Sequence, residues 1–265
     1  MKRYLIVLFA VMAFVTSKSQ VVKVLSTEPL LKGVESEMYH PVISSGGEYL
    51  LFTSVNYTGL KVYDFANNVT TKISEEPRAG FMPAFAGSEV KYETKARGTF
   101  GRGAIAAKTF KLEKKVNTSA VAVRTEGSRL YISRNGVEKS YTPVESGAGY
   151  LWESVSPDGS KVMFFAAGKG IVITDLNGKV LSMPGKYECP VWLGNDAIAA
   201  MNATDDGHQY RSSQIVALSI DGKKVQHLTA PESMTMYPTA TADGSVIVYG
   251  TIDGRLYKMN LEPIK

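Results

Sequence analysis

Two glutamates, Glu153 and Glu188, are the residues best placed for hydrolytic chemistry. Each stands at the start of a segment that we predict to be a strand. Glycoside hydrolysis needs two carboxyl groups that face each other across a cleft. If the two strands open neighbouring units around a common centre, the pair could provide that geometry. A glycan- or peptide-cleaving hydrolase is therefore the alternative function for this chain.

The other nucleophiles and bases do not form a recognisable catalytic set. The histidines are His40, His208 and His227, and none lies near a Gly-x-Ser-x-Gly motif. The only cysteine, Cys189, is followed by Pro190, and we expect it to be a small buried thiol. The sequence predicts no catalytic residue and no cofactor, so a non-enzymatic protein is the favoured interpretation.

Residues 202–211 form a polar segment whose side chains could bind a cation. It contains Asp205, Asp206, His208 and Arg211. Paired aspartates suit a hard cation, but their spacing fits no standard calcium loop, and a histidine suits a different metal. We predict no metal site, and the sequence leaves open whether Asp205, Asp206 and His208 hold a cation.

The elements that position these residues are repeated. Residues 156–165 begin Ser-Pro-Asp-Gly and continue into an apolar run, and residues 241–249 repeat the pattern as Thr-Ala-Asp-Gly. Weaker copies begin near residues 45, 87 and 194. The runs are short, rich in Val, Ile, Tyr and Phe, and often alternate in polarity, which is typical of strands. No convincing amphipathic helix is present, so the chain is predicted to be all-β.

Prolines mark the start of successive units at Pro41, Pro83, Pro190 and Pro238. The spacing matches the roughly 40–50 residues of a four-stranded propeller blade. The interval from Pro83 to Trp152 is wider and has room for one degenerate blade. We therefore favour a β-propeller of six blades, with five as the alternative. The last unit lacks an outer strand, and residues 21–25 are free to complete it, which would close the ring.

The Ser-Pro-Asp-Gly repeat at residues 156–165, followed by the strand and turn of residues 171–179, resembles the repeat of TolB-like, WD-related propellers. The resemblance extends over most of residues 39–262 and is strongest in the fourth and sixth units. It implies an exported bacterial binding or scaffold protein, and we expect its partner to be a peptide, a glycan or another envelope protein. A purely structural scaffold that contacts another protein through the same face is a further alternative. Because one fold hosts many functions, the resemblance indicates the fold more firmly than the function.

Propeller geometry predicts a binding surface on one face. In each blade the inner strand enters from the face that also carries the loop between the second and third strands. We expect ligand contacts there, since aromatic side chains recur just before the inner strands and polar loops flank them. The candidate ligand-binding residues are Tyr39, His40, Phe81, Met82, Arg97, Arg102, Trp152, Glu153, Tyr187, Glu188, Asp206, His208, Arg211 and Tyr237. The alternative for the aromatic residues is packing between blades.

The beginning of the chain reads as an export signal. Lys2 and Arg3 precede the uncharged apolar run 4–15, and Ser17 and Ser19 allow cleavage before Gln20. We therefore predict a signal peptide over residues 1–19 and a single domain over residues 20–265. The protein would be periplasmic, secreted or at the cell surface.

Composition and charge limit the classes of partner. The 265-residue chain has a formal net charge of +5, and its basic residues are dispersed, unlike a nucleic-acid-binding surface. We expect no nucleic-acid partner, no stable membrane insertion after signal cleavage, and a monomer.

Overall fold

The computed structural model describes residues 20–31, 37–96 and 103–264. The predicted signal peptide, residues 1–19, lies outside this range. The strands in chain order are β1 (Val22–Pro29), β2 (Tyr39–Ile43), β3 (Tyr49–Thr53), β4 (Leu60–Asp64), β5 (Val69–Ser74), β6 (Ala84–Ala86), β7 (Glu89–Lys95), β8 (Ile105–Lys111), β9 (Val121–Glu126), β10 (Arg129–Arg134), β11 (Val137–Tyr141), β12 (Tyr150–Val155), β13 (Lys161–Ala166), β14 (Gly170–Asp175), β15 (Val180–Gly185), β16 (Glu188–Leu193), β17 (Ala197–Asp205), β18 (Tyr210–Ser219), β19 (Val225–His227), β20 (Thr235–Ala240), β21 (Val246–Thr251) and β22 (Leu256–Pro263). Single 3₁₀ turns lie at Val55–Tyr57 and Pro231–Ser233.

These strands form six antiparallel sheets arranged in a ring, which confirms the prediction of a six-bladed propeller. Blade 1 is β2–β5, blade 2 is β6–β8, blade 3 is β9–β11, blade 4 is β12–β15 and blade 5 is β16–β19. Blade 6 contains β20–β22 and is completed by β1. The pairing of β1 with β22 runs from Val22 opposite Pro263 to Pro29 opposite Tyr257. The expected closure of the ring by the N-terminal strand is therefore confirmed.

The hydrophobic core is divided among the spaces between blades. In blade 4, Met163 packs toward blade 5, whereas Val162 and Phe164 pack toward blade 3. Such central strands have apolar residues at consecutive positions because both sheet faces are covered. Clusters of this kind join blade 1 to 2, 3 to 4, 4 to 5, 5 to 6 and 6 to 1.

Within the described residues, no such cluster joins blades 2 and 3. In β7, Val90 and Tyr92 are buried against blade 1, while Lys91 and Glu93 lie on the opposite sheet face. In β10, Leu130 and Ile132 are buried against blade 4. We call the polar space between blades 2 and 3 the seam. Blades 2 and 3 are also the two with three strands instead of four.

Blade 3 is inverted relative to the other blades. After β8 the chain lies beside the β6–β7 turn, where the Val116 amide donates to the Gly87 carbonyl at 3.0 Å. β9 then ends beside the start of β12, where the Tyr150 amide donates to Gly127 at 2.8 Å. Because blade 2 has three strands, the chain leaves it on the face opposite to the one where it entered. Blade 3 therefore begins on that opposite face, and its own three strands return the chain to the first face. The expectation that every inner strand starts from one face holds for five blades and fails for this one.

Candidate functional site

A central cavity of about 1240 Å³ runs along the inner strands of the ring. It reaches from a mouth at the face that carries the loop Val55–Tyr57 to the turns near Ser45, Pro157 and Ala242 on the opposite face. We call the first the loop face. The buried prolines that mark the blades, Pro41, Pro83, Pro190 and Pro238, line the cavity wall. Proline fits an inner strand because the edge of that strand facing the cavity has no strand partner.

The mouth is built on a repeated backbone irregularity. In five blades the residue just before the proline, or before Glu153 in blade 4, has positive φ; these residues are His40 (φ 49°), Met82 (φ 53°), Trp152 (φ 55°), Cys189 (φ 48°) and Tyr237 (φ 52°). In blades 1, 4, 5 and 6 the pairing register shifts at the same place. Positive φ is unusual for bulky side chains, and residues held this way concentrate at functional sites. All five residues line the cavity.

One side of the mouth is a stack of aromatic rings. The His40 imidazole lies between the rings of Tyr57 and Tyr237, with centroids 4.2 Å from each. The Tyr57 ring meets Phe81 edge-on at 5.3 Å. Burial lowers the pKa of His40 to about 4, so this imidazole is neutral near pH 7. Burial also raises the pKa of the Tyr57 and Tyr237 phenols. The stack is therefore uncharged and has polar tips.

Three large apolar side chains at the mouth, from blades 2 and 4, are exposed. Met82 is 71% exposed, Leu151 47% and Trp152 37%. The Trp152 ring lies 5.1 Å from the Phe165 ring. Exposed large apolar groups beside a concave surface are a mark of interaction sites.

Glu153 lies on the cavity wall and already has partners. It accepts a hydrogen bond from the Thr125 hydroxyl at 3.0 Å and another from the Thr125 amide at 3.2 Å. This carboxylate therefore ties blade 4 to the inverted blade 3. Glu188 is not part of the cavity wall. Burial and the nearby Asp205 carboxylate raise the pKa of Glu188, while a hydrogen bond with Tyr210 opposes the shift.

The structure divides the fourteen candidate ligand-binding residues into five groups. The residues His40, Phe81, Met82, Trp152, Glu153 and Tyr237 come together around the cavity. Tyr39 packs between blades 1 and 6, beside Gly254, and Tyr187 packs against the core between blades 4 and 5. Tyr39 and Tyr187 therefore pack between blades, which is the alternative that the sequence offered for the aromatic residues. Glu188 lies beside the cavity, and Arg97 and Arg102 lie outside the described residues.

The three candidates near the β17–β18 turn form a local cluster, with Asp206 and His208 in the turn and Arg211 in β18. The Asp206 carboxylate accepts from the amides of His208 and Gln209 at 3.0 Å and pairs with Arg211 at 2.5 Å. His208 itself is exposed. Among the described residues, no group of three or more His, Cys, Asp or Glu side chains could hold a metal ion.

Cys189 lines the cavity, but it is not an activated nucleophile. Burial, and then the charge of Glu188, raise the pKa of this thiol to about 12. Attack by cysteine requires the thiolate, which is scarce here near pH 7.

One mouth residue was missed by the sequence reasoning. Tyr57 lines the cavity and comes from the loop between the second and third strands of blade 1. That loop was expected on the loop face. An aromatic residue within it was the signal that could have found Tyr57.

Comparison with known proteins defines the fold. Neither a protein-family model nor a curated protein matches the chain. A chain of the mitotic checkpoint complex is similar with a TM-score of 0.50 and 12% identity, over 84% of this chain and 74% of that one. A structure described as TolB from Agrobacterium tumefaciens is similar with a TM-score of 0.50 and 15% identity, over 86% and 91% of the two chains.

The protein is a TolB-like six-bladed propeller in its fold. The resemblance inferred from the Ser-Pro-Asp-Gly repeat is thus confirmed. At 15% identity, what this chain shares with TolB is the architecture, and the mouth residues must be interpreted from their own chemistry.

Proposed function

We propose that this protein is an exported, non-enzymatic binding propeller that recognises an extended peptide segment at the mouth of its central cavity. The observation that carries the proposal is the set of positive-φ residues that presents His40, Met82, Trp152, Cys189 and Tyr237 to the cavity. Holding five such residues costs about 1–3 kcal/mol each. The same cost at the same position of five blades supports a geometric requirement that these blades share at the mouth.

The chemistry of the mouth favours a peptide over a glycan. Exposed Met82, Leu151 and Trp152 supply a surface for apolar side chains, and methionine adapts to varied partners. The neutral His40 stack offers aromatic faces with polar tips. Glu153 is the one acidic residue that lines the cavity within the described residues, and Thr125 takes about half of the acceptor sites of its carboxylate.

A peptide-array experiment tests this function. We expect hits containing aromatic or aliphatic residues, and Trp152→Ala should weaken binding by about 2 kcal/mol or more, the size typical of a central aromatic anchor. Leu181→Ala is the control, because Leu181 is a similarly exposed apolar residue on the outer strand β15. Equal binding by Trp152→Ala would refute the site. Binding to glycan arrays and not to peptide arrays would mean that the ligand is a glycan. Cleavage of the ligand, with turnover lost in Glu153→Gln, would favour the hydrolase alternative.

Export is supported by the sequence of residues 1–19, which has a basic start, an apolar run and small residues before Gln20. The strand that closes the ring begins at Val22, soon after the predicted cleavage position. No helix in the described part of the chain has the length and apolar character needed to cross a membrane. Mass spectrometry of the protein recovered outside the cytoplasm should give an N-terminus at Gln20, and an intact Met1 there would contradict signal cleavage.

A further inference from the structure

The outer edges of blades 2 and 3 differ from those of the other four blades, and the edge of blade 2 is the longer of the two. In blades 1, 4, 5 and 6 the third strand is covered by a fourth, whereas in blade 2 the third strand, β8, is the last. Among the described residues, no strand other than β7 pairs with β8. Six of its seven residues are exposed. Within residues 20–31, 37–96 and 103–264, no strand occupies the place that a fourth strand takes in blades 1, 4, 5 and 6.

The regularity of β8 makes this edge competent for pairing. Its register with β7 is unbroken from Glu89 opposite Lys111 to Lys95 opposite Ile105. The outer strands of blades 1, 4 and 6 contain register shifts, and that of blade 5 has only three residues. The outer strand of blade 3, β11, is also regular, but it has five residues where β8 has seven. Register shifts, prolines, short length and lysine side chains are among the ways in which proteins protect strand edges. β8 has none of the first three; it carries Lys108, which pairs with Glu76, and Lys111.

The hydrogen-bonding pattern between β7 and β8 identifies the backbone groups of β8 that face away from β7. At one end the Ala96 amide donates to Ala104, and at the other the Leu112 amide donates to Ser88. Residues bonded to β7 therefore alternate from Ala104 to Leu112. The amides and carbonyls of the residues between them face away from β7, and these residues are Ile105, Ala107, Thr109 and Lys111.

The fold itself contains a precedent for completing a blade with a distant segment. β22 is the third strand of blade 6, and it pairs with β1, which lies more than 200 residues away in sequence. In blade 2, β8 is in the same position within its sheet.

The charge around β8 indicates the kind of segment that fits. Lys91, Lys95 and Lys111 lie on the seam-facing side of blade 2, together with Glu89 and Glu93. Because Glu93 is paired with Arg78 at 2.8 Å, Glu89 is left to balance the three lysines. No ion pair is formed by these three lysines within the described ranges. This excess of positive charge favours an acidic partner.

We propose that the edge of β8 is a second interaction site, at which an extended acidic segment of a partner protein adds as the fourth strand of blade 2. Main-chain hydrogen bonds to Ile105, Ala107, Thr109 and Lys111 supply the affinity, and the lysine-bearing side of the sheet selects acidic side chains. The site is separate from the mouth of the cavity and does not depend on the function proposed there.

The test uses the full protein and a blocked seven-residue peptide of alternating acidic and β-branched residues, Thr-Glu-Val-Glu-Val-Glu-Thr, matched in length to β8. The control peptide has Lys in place of each Glu. We expect the acidic peptide to bind by fluorescence anisotropy, about tenfold or more tighter than the basic one. It should also slow hydrogen exchange of the Ala107 and Thr109 amides.

Thr109→Pro removes one outward-facing donor and should weaken binding roughly tenfold or more, whereas Thr109→Ala keeps the donor and should bind normally. Because proline could disturb the strand, the double variant Lys91→Glu with Lys111→Glu provides a second test that leaves the backbone unchanged, and it should abolish the preference for the acidic peptide.

Trp152→Ala should have no effect on this binding, which separates the site from the mouth. The proposal is overturned if the acidic peptide does not bind, if both peptides bind equally, or if binding protects the mouth and leaves β8 amides exchanging freely.

Discussion

Blades 1, 4, 5 and 6 bury both faces of their sheets, whereas blades 2 and 3 bury one face each. In blade 4, Phe164 and Met163 point to opposite sides and both are completely buried. In blade 2, Tyr92 is buried while its neighbours Lys91 and Glu93 face the seam. The difference shows that a propeller ring can include a polar seam if each blade beside it is anchored to its other neighbour.

The largest expected difference between the two regions is in the cost of removing an aromatic side chain. Phe164→Ala in blade 4 should lower the free energy of unfolding by about 3–5 kcal/mol, because the side chain is fully buried. Phe110→Ala in β8 removes a half-buried ring and should cost about 1–2 kcal/mol. Urea unfolding of both variants makes the comparison. Equal losses would show that blade 2 is packed as tightly as blade 4.

A matched pair of glycines makes the same comparison through the backbone. Gly170 in blade 4 has φ 105°, and a Cβ there would approach the Gly185 carbonyl oxygen to 2.3 Å. Gly136, in the β10–β11 turn of blade 3, has φ 78° and no atom within 4 Å of the added Cβ. Gly136→Ala should therefore cost about 1–2 kcal/mol, from the left-handed conformation alone.

Gly170→Ala should cost more than Gly136→Ala, because a backbone clash is added to the same conformational penalty. The unfolding midpoints in urea of the two variants and the wild type are the measurement. If the two variants have the same midpoint, blade 4 can shift to accept the Cβ, and the contrast between the regions is smaller than we infer.

The pH dependence of stability tests the burial of His40 in the aromatic stack at the mouth. Burial lowers the pKa of His40 to about 4 in the folded protein, below its ordinary value of 6.5. The unfolded chain therefore binds the proton more readily, and the contribution of His40 to stability is complete above pH 6.5 and is lost as the pH falls toward 4.

His40→Asn tolerates positive φ and removes this titration. Between about pH 7 and about pH 4.5, a range that spans most of the shift, the thermal midpoint of the wild type should fall further than that of His40→Asn. Parallel curves for the two proteins would mean that the imidazole is more open to water than its position between Tyr57 and Tyr237 implies.

Much of the contrast between the two regions is visible in the amino-acid sequence. Residues 89–95 alternate between charged and apolar or small side chains, and residues 171–173 are continuously apolar. The first pattern predicts a strand with one solvent-exposed face, and the second predicts a strand that is covered on both faces. Pro41, Pro190 and Pro238 likewise mark inner strands correctly, because these strands leave an edge toward the cavity.

The inversion of blade 3 could not be predicted in the same way. It depends on whether the blade before it has three strands or four, and strand count is not local to any motif. No proline marks β9, although one lies in or just before each of the other inner strands except β12. The positive φ of Trp152 also depends on long-range pairing, because Glu153 follows it in place of proline.

The smallest expected effect belongs to the ion pairs at the seam. Arg124 of β9 lies 3.7 Å over the ring of Tyr131 and pairs with Glu138 of β11 at 2.6 Å. Both charged side chains are nearly half exposed, and exposed pairs contribute about 0.2–1 kcal/mol. A double-mutant cycle with Arg124→Ala and Glu138→Ala should give a coupling energy in that range, decreasing with added salt. A larger, salt-insensitive coupling would mean that the seam excludes water and that blades 2 and 3 are in closer contact than their polar faces indicate.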